Sequence, residues 1–122
     1  MEEKRKSRRV RSNAVATFKV QSARLAGGSR IKDISETGVC LPSKHYFPIA
    51  AILELEIRSD DLNEPVKVLA KVVRVVKRDK GVFPFEVGLV FFELSAVNKD
   101  ILHHFIRSIA ARGESQDVSW ID

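Results

Sequence analysis

Between Asn13 and Phe92 the apolar residues recur at every second position, and after Val97 they recur every three or four. Ala14, Ala16, Phe18 and Val20 share one face of an extended chain. So do Leu53, Leu55 and Ile57, then Val66, Val68, Ala70, Val72 and Val76, and finally Phe85, Val87, Leu89 and Phe91. Successive side chains of a strand point to opposite faces, so this pattern predicts strands with one buried face. Shorter strands are expected at Ser29–Ile34 and from Val39 to Leu41, with turns at Gly27–Gly28, Ser35–Gly38 and Lys77–Gly81. Loops are expected at Pro42–Pro48 and Ser59–Pro65. The later period places Val97, Ile101, Leu102, Phe105, Ile106, Ile109 and Ala110 on one face of a helix, with Ser95 as its N-cap and Gly113 as its stop. Six or seven short strands followed by one helix imply a mostly β fold, a β-barrel with a C-terminal helix packed across it.

The chain has 122 residues, enough for one domain with its own core. It divides into an arm over 1–12, a barrel-plus-helix body over 13–113 and a tail over 114–122 that carries Trp120, whose packing the sequence leaves undecided. No apolar run approaches the roughly eighteen residues of a membrane span. Met1–Arg5 lacks the apolar stretch of a secretory signal, so a cytoplasmic location is expected. Cys40 is the one cysteine; with the three histidines it forms no zinc-ligand spacing, and its apolar neighbours Val39 and Leu41 suit a buried structural thiol. His45 stands in a loop, and only one of His103 and His104 can face inward on the helix. No nucleophile–base pair or metal set is apparent, so no enzymatic activity and no cofactor are expected.

Net charge is +5, and its distribution is uneven. Lys4, Arg5, Lys6, Arg8, Arg9 and Arg11 stand against Glu2 and Glu3, which leaves the first eleven residues at +4 and the remainder at +1. A concentrated basic arm points to an anionic partner: a nucleotide, a nucleic acid or an acidic membrane surface. Within it, Arg5 and Arg9 are four apart. Two such guanidiniums can grip phosphate or a guanine edge bidentately, although a solvated charge run reads the same way.

The other constellation is Asp33-Ile34-Ser35-Glu36-Thr37-Gly38, a D-x-S-x-x-G at a predicted corner. Asp33 and Ser35 project to one face and offer a carboxylate and a hydroxyl. Gly38 permits positive φ and close backbone approach. Such a corner can read the N1 and N2 hydrogens of guanine, or it can be a hairpin corner capped by its own side chains.

Together, R-x-x-x-R at Arg5/Arg9 and D-x-S-x-x-G at Asp33/Ser35/Gly38 resemble the two hallmark motifs of the PilZ family, in the same order. Val72-Val73-Arg74-Val75 resembles the family's long strand, and Val87-Gly88-Leu89-Val90-Phe91 with Leu94-Ser95 resembles its close. The resemblance implies a six-stranded antiparallel β-barrel with a C-terminal helix and cyclic di-GMP as ligand. It implies that Arg5 and Arg9 bind phosphate and guanine, that Asp33 and Ser35 hydrogen-bond a guanine, and that Gly38 keeps the corner open. Lys4, Arg8 and Arg74 are further candidates for ligand contact; Lys4 stands where the family varies, and Ser7-Arg8 replaces the aromatic or proline often found inside the first motif. A receptor of this kind is expected to change the conformation of its arm on binding and to signal to a downstream protein. The alternatives are a small basic barrel that binds nucleic acid, for which the strands offer no exposed aromatic platform, and a PilZ-like protein-interaction domain without nucleotide binding.

Overall fold

The computed structural model describes residues 10–11, 14–20, 25–78 and 81–111. Its elements, in chain order, are β1 (Val10–Arg11), β2 (Val15–Val20), β3 (Ala26–Arg30), β4 (Asp33–Ile34), β5 (Gly38–Ser43), β6 (Ile52–Arg58), β7 (Val66–Lys77), β8 (Phe85–Glu93) and α1 (Ala96–Ala111). The strands form one sheet in the order β1-β4-β5-β8-β7-β6-β2-β3, with every neighbouring pair antiparallel.

β3 and β4 lie near opposite ends of that order, yet only Ile31 and Lys32 separate them. Ile31 N–H donates to Ala14 O at 2.8 Å, and Lys32 N–H donates to Cys40 O at 2.8 Å. One residue is thus tied to the β2 side and the next to β5, which curls the sheet into a barrel-like wall. Ser29 Oγ adds a bond across the same seam, donating to Pro42 O at 2.8 Å. Counting β3 and β4 as one bent strand and setting aside the two-residue β1, the sheet has the expected six strands.

Alternation decides what the wall encloses. Ala14, Ala16, Phe18, Leu53, Leu55, Ile57, Val66, Val68, Ala70, Val72, Val87 and Leu89 are all buried in one core with Ile31, Ile34, Val39, Leu41 and Phe47. α1 adds Leu102, Phe105, Ile106 and Ile109. Its first turn is capped as predicted: Ser95 Oγ accepts from Asn98 N–H at 3.0 Å, and Lys99 N–H donates to Ser95 O at 2.9 Å. The predicted stop at Gly113 and the tail with Trp120 lie outside the described residues.

Four expectations are corrected. Gly27 and Gly28 are not a turn but part of β3, opposite Phe18 and Thr17. Val20 N–H donates to Leu25 O at 3.0 Å, so the chain reverses between those residues. The glycines serve a close approach instead: a Cβ on Gly27 would stand 2.9 Å from Phe18 Cζ, and one on Gly28 would stand 3.0 Å from Ala16 O. Second, the expected loop from Pro42 begins as strand; Pro42 and Ser43 extend β5 past the end of β4, where a missing N–H disturbs no β4 ladder. Third, β7 carries an irregularity between Val72 and Arg74. A bulge shifts the side-chain phase, so Val75 packs on the core together with Phe85, and Val76 does not continue the Val66–Val72 row. Fourth, Val97 lies off the packed helical face and is 68% exposed.

Candidate functional site

The D-x-S-x-x-G segment spans β4, the three-residue reversal Ser35-Glu36-Thr37 and the start of β5. Ser35 builds the corner. Its N–H donates to Gly38 O at 2.9 Å, and its Oγ accepts from Thr37 N–H at 3.1 Å and Gly38 N–H at 3.2 Å. Thr37 O then accepts from Phe91 N–H at 2.8 Å, which pins the corner to β8. Ser35 is 1% exposed and Asp33 6% exposed. Gly38 is required for close approach: a Cβ there would stand 2.2 Å from Leu89 O. Positive φ is not its role, since among the described glycines only Gly81 has it.

The register carries the site outward from this corner. Arg11 in β1 opposes Asp33, Asp33 opposes Cys40, Cys40 opposes Gly88, and Gly88 opposes Arg74. Directly opposed residues share a face. Because Ile34, Val39, Leu41, Val87 and Leu89 face the core, the row Asp33–Cys40–Gly88–Arg74 lies on the outside of the wall. Cys40 and Gly88 are small and make its floor. Arg74 lies over that floor, with Nε 3.7 Å from where a Gly88 Cβ would be.

Of the predicted residues, the structure therefore brings Asp33, Ser35, Gly38 and Arg74 to one region. Arg5, Arg9, Lys4 and Arg8 lie outside the described residues. The two residues that follow Arg9 do not: Val10 and Arg11 pair with Ile34 and Asp33. The end of the expected arm is thus a strand hydrogen-bonded to the strand that carries the second motif.

A charged cluster beside this row was missed. Glu86 extends from β8, two residues before Gly88. Lys32 Nζ donates to its Oε2 at 2.5 Å, and Arg78 Nη2 donates to its Oε1. Burial pushes the Glu86 carboxyl up, but the bonds from Lys32 and Arg78 outweigh it and hold the carboxyl down at about 2. A glutamate between Phe85 and Val87, on the outward phase of an apolar strand, was the available signal; its partners are 54 and 8 residues away in sequence. Cys40 is buried as expected, and burial together with the charges of Asp33 and Glu86 pushes its thiol up to about 11. That thiol also feels Lys32 and Arg74, so all four charged groups surround it.

The corner is linked to the helix through Glu36. His103 Nδ1 and Glu36 Oε2 are 2.5 Å apart, and Arg107 Nη1 approaches His103 Nε2 at 3.4 Å. Clefts of about 550 and 580 Å³ lie elsewhere, one on β2, β6 and β7 and one between α1 and the loop before β7. Neither is lined by a residue of either motif. Among the described residues no three His, Cys, Asp or Glu side chains stand together as a metal site, and no helix is long and apolar enough to cross a membrane.

No curated protein sequence matches the chain. Among solved structures it is similar to the PilZ domain with c-di-GMP of YcgR from Escherichia coli, at 13% identity and a TM-score of 0.71, covering 91% of this chain and 95% of that one. It is similar to the K. pneumonia MrkH–c-di-GMP complex at 12% identity and a TM-score of 0.76, and to the Bacillus subtilis inhibitor of motility MotI at 17% identity and a TM-score of 0.70. Those two matches cover 93% and 88% of this chain but only 55% and 51% of the other proteins, so the chain spans about half their length. At such identities the likeness shows the fold. The family model described as PilZ domain matches residues 3–108, nearly the whole folded body, and the chain belongs to the PilZ family.

Proposed function

We propose that the outer face around Asp33, Cys40, Gly88 and Arg74 binds cyclic di-GMP, and that the protein is a non-catalytic receptor for it. The observation that carries this reading is the pairing of Val10–Arg11 with Asp33–Ile34. It puts the residues directly after R-x-x-x-R in register with the first residues of D-x-S-x-x-G, which supports the reading that both motifs serve one ligand. Arg5 and Arg9 supply guanidiniums for phosphate and guanine edges. Asp33 accepts from the guanine N1 and N2 hydrogens, Ser35 and Gly38 shape the corner beside it, and Arg74, over Gly88, supplies a stacking or phosphate contact. Lys4 and Arg8, next to the two motif arginines in sequence, are further candidates for ligand contact. The structures of YcgR and MrkH with c-di-GMP support the choice of ligand.

On binding, the arm before β1 changes conformation and alters the surface offered to a downstream protein. Amide exchange over residues 4–12 with and without ligand tests this; equal protection in both states contradicts it. Calorimetry with cyclic di-GMP, GTP and a short oligonucleotide tests the ligand. Binding of cyclic di-GMP alone, lost in Arg9→Ala and Asp33→Ala, is the expected result. Oligonucleotide binding indifferent to Asp33→Ala would replace this reading with a nucleic-acid one. No binding to any of the three would leave a protein-interaction domain.

A further inference from the structure

Lys32 and Arg78 reach Glu86 from different parts of the wall. Lys32 comes from the β3–β4 connection, next to Asp33, and Arg78 from the end of β7. The Glu86 side chain is 10% exposed, whereas those of Lys32 and Arg78 are 53% and 55% exposed. The anion is therefore covered and the two cations open to solvent, with a local excess of one positive charge. Burying a carboxylate on a strand is costly unless it is paired. Here the paired carboxylate holds two long, mobile side chains in one place. An ammonium has three N–H donors and a guanidinium five, so each cation keeps donors for a second anion while bound to Glu86. Arg74, over Gly88 on the same strand face, extends this cationic edge. Asp33 stands across Cys40 from Gly88, two strand spacings or about 10 Å away, and three spacings or about 14 Å from Arg74.

A cyclic dinucleotide carries two phosphodiesters, and β1, which directly follows the R-x-x-x-R motif in sequence, pairs with β4 on the side of Asp33 away from β8. We propose that Lys32 and Arg78, positioned by Glu86, form a second anion subsite that takes a phosphodiester of the ligand on the β8 side of Asp33. This rests on the reading of the outer face as the cyclic di-GMP site. Neither Lys32 nor Arg78 belongs to either motif, and Glu86 acts through them without touching the ligand.

The test is titration of cyclic di-GMP into the full chain and into Lys32→Gln, Arg78→Gln, Arg78→Lys and Arg58→Gln at low and high salt. Arg58 pairs with Glu56 on β6, away from the site, and serves as the control. Each glutamine at 32 or 78 is expected to weaken binding about five- to tenfold, the loss of one charge-assisted contact. It should also flatten the salt dependence, because one screened attraction is gone. Arg78→Lys should recover most of the affinity, and Arg58→Gln should change nothing. Each variant leaves Glu86 one partner, and the thermal midpoint reports whether the fold is kept. Should one glutamine variant fail to fold, the other and Arg78→Lys decide. Unaltered affinity and salt slope in the folded variants, with the parent still binding, overturn the subsite and leave the receptor intact. Failure of the parent to bind cyclic di-GMP overturns both.

Discussion

Among the described carboxylates, Glu86 is the one clearly shifted by folding. Folding lowers its carboxyl from an ordinary 4.5 to about 2, so the folded protein binds fewer protons there than the unfolded chain. Its contribution is therefore complete above about pH 4.5 and disappears as pH falls through about 2. Because both cations are half exposed, solvent screening reduces this to about 1–2 kcal/mol. Urea unfolding of the parent and of Glu86→Gln should differ by about that amount at pH 7 and converge near pH 2; a constant difference across the range would contradict it. Gly38 makes a steric prediction. Gly38→Ala places a methyl 2.2 Å from Leu89 O, so β5 and β8 must part, at a cost of about 2–4 kcal/mol by denaturant titration. Cys40 makes a chemical one. With its thiol pushed up to about 11 and only 2% exposed, it should react slowly with a thiol reagent at pH 8, and rapidly once the protein is denatured.

At the scale of elements, α1 buries four apolar side chains in the core and is capped by Ser95. Ser95→Ala removes the acceptor for Asn98 N–H and should lower stability by about 1 kcal/mol. Val97→Lys, on the exposed side of the same helix, should change it by less than about 0.5 kcal/mol. Comparing the two melting curves separates the cap from general helix disruption. β7 shows how an element can follow its pattern and then leave it. Val66 to Val72 alternate strictly, and the bulge before Arg74 then turns the following valines by one position. That shift puts Arg74 opposite Gly88 on the outer face, so the irregularity contributes to the site. Nothing in the run of valines marks where it occurs, because Ala50 and Ala51 bond to Val72 from outside the strand, the first with φ at 78°.

At the scale of the whole molecule, the curl depends on the short joint at Ile31–Lys32. Ile31 is fully buried and bonds toward β2, while Lys32 bonds to β5 and to Glu86. Ile31→Ala should therefore cost about 3 kcal/mol and lower one cooperative transition, since it opens a cavity where the two ends of the sheet meet. A second, separate transition would show that the seam is not part of the common core. The joint also explains why the motif corner sits where it does: β4 lies in the wall with β1 on one side and β5 on the other, so Val10 and Arg11 pair directly beside the corner.

The sequence by itself determined the strand faces, the terminal helix with its Ser95 cap, and the family through two motifs at Arg5/Arg9 and Asp33–Gly38. Those depend on local periodicity and on residues close together in the chain, where spacing alone dictates which side chains share a face. Only the tertiary structure decided that Gly27 and Gly28 belong to a strand, that Gly38 faces a carbonyl of β8, and that Cys40 and Gly88 form a floor under Arg74. It also decided that Lys32 and Arg78 meet on Glu86. Each of these depends on pairing between strands distant in sequence, and register across a curled sheet is set by the closure of the whole wall.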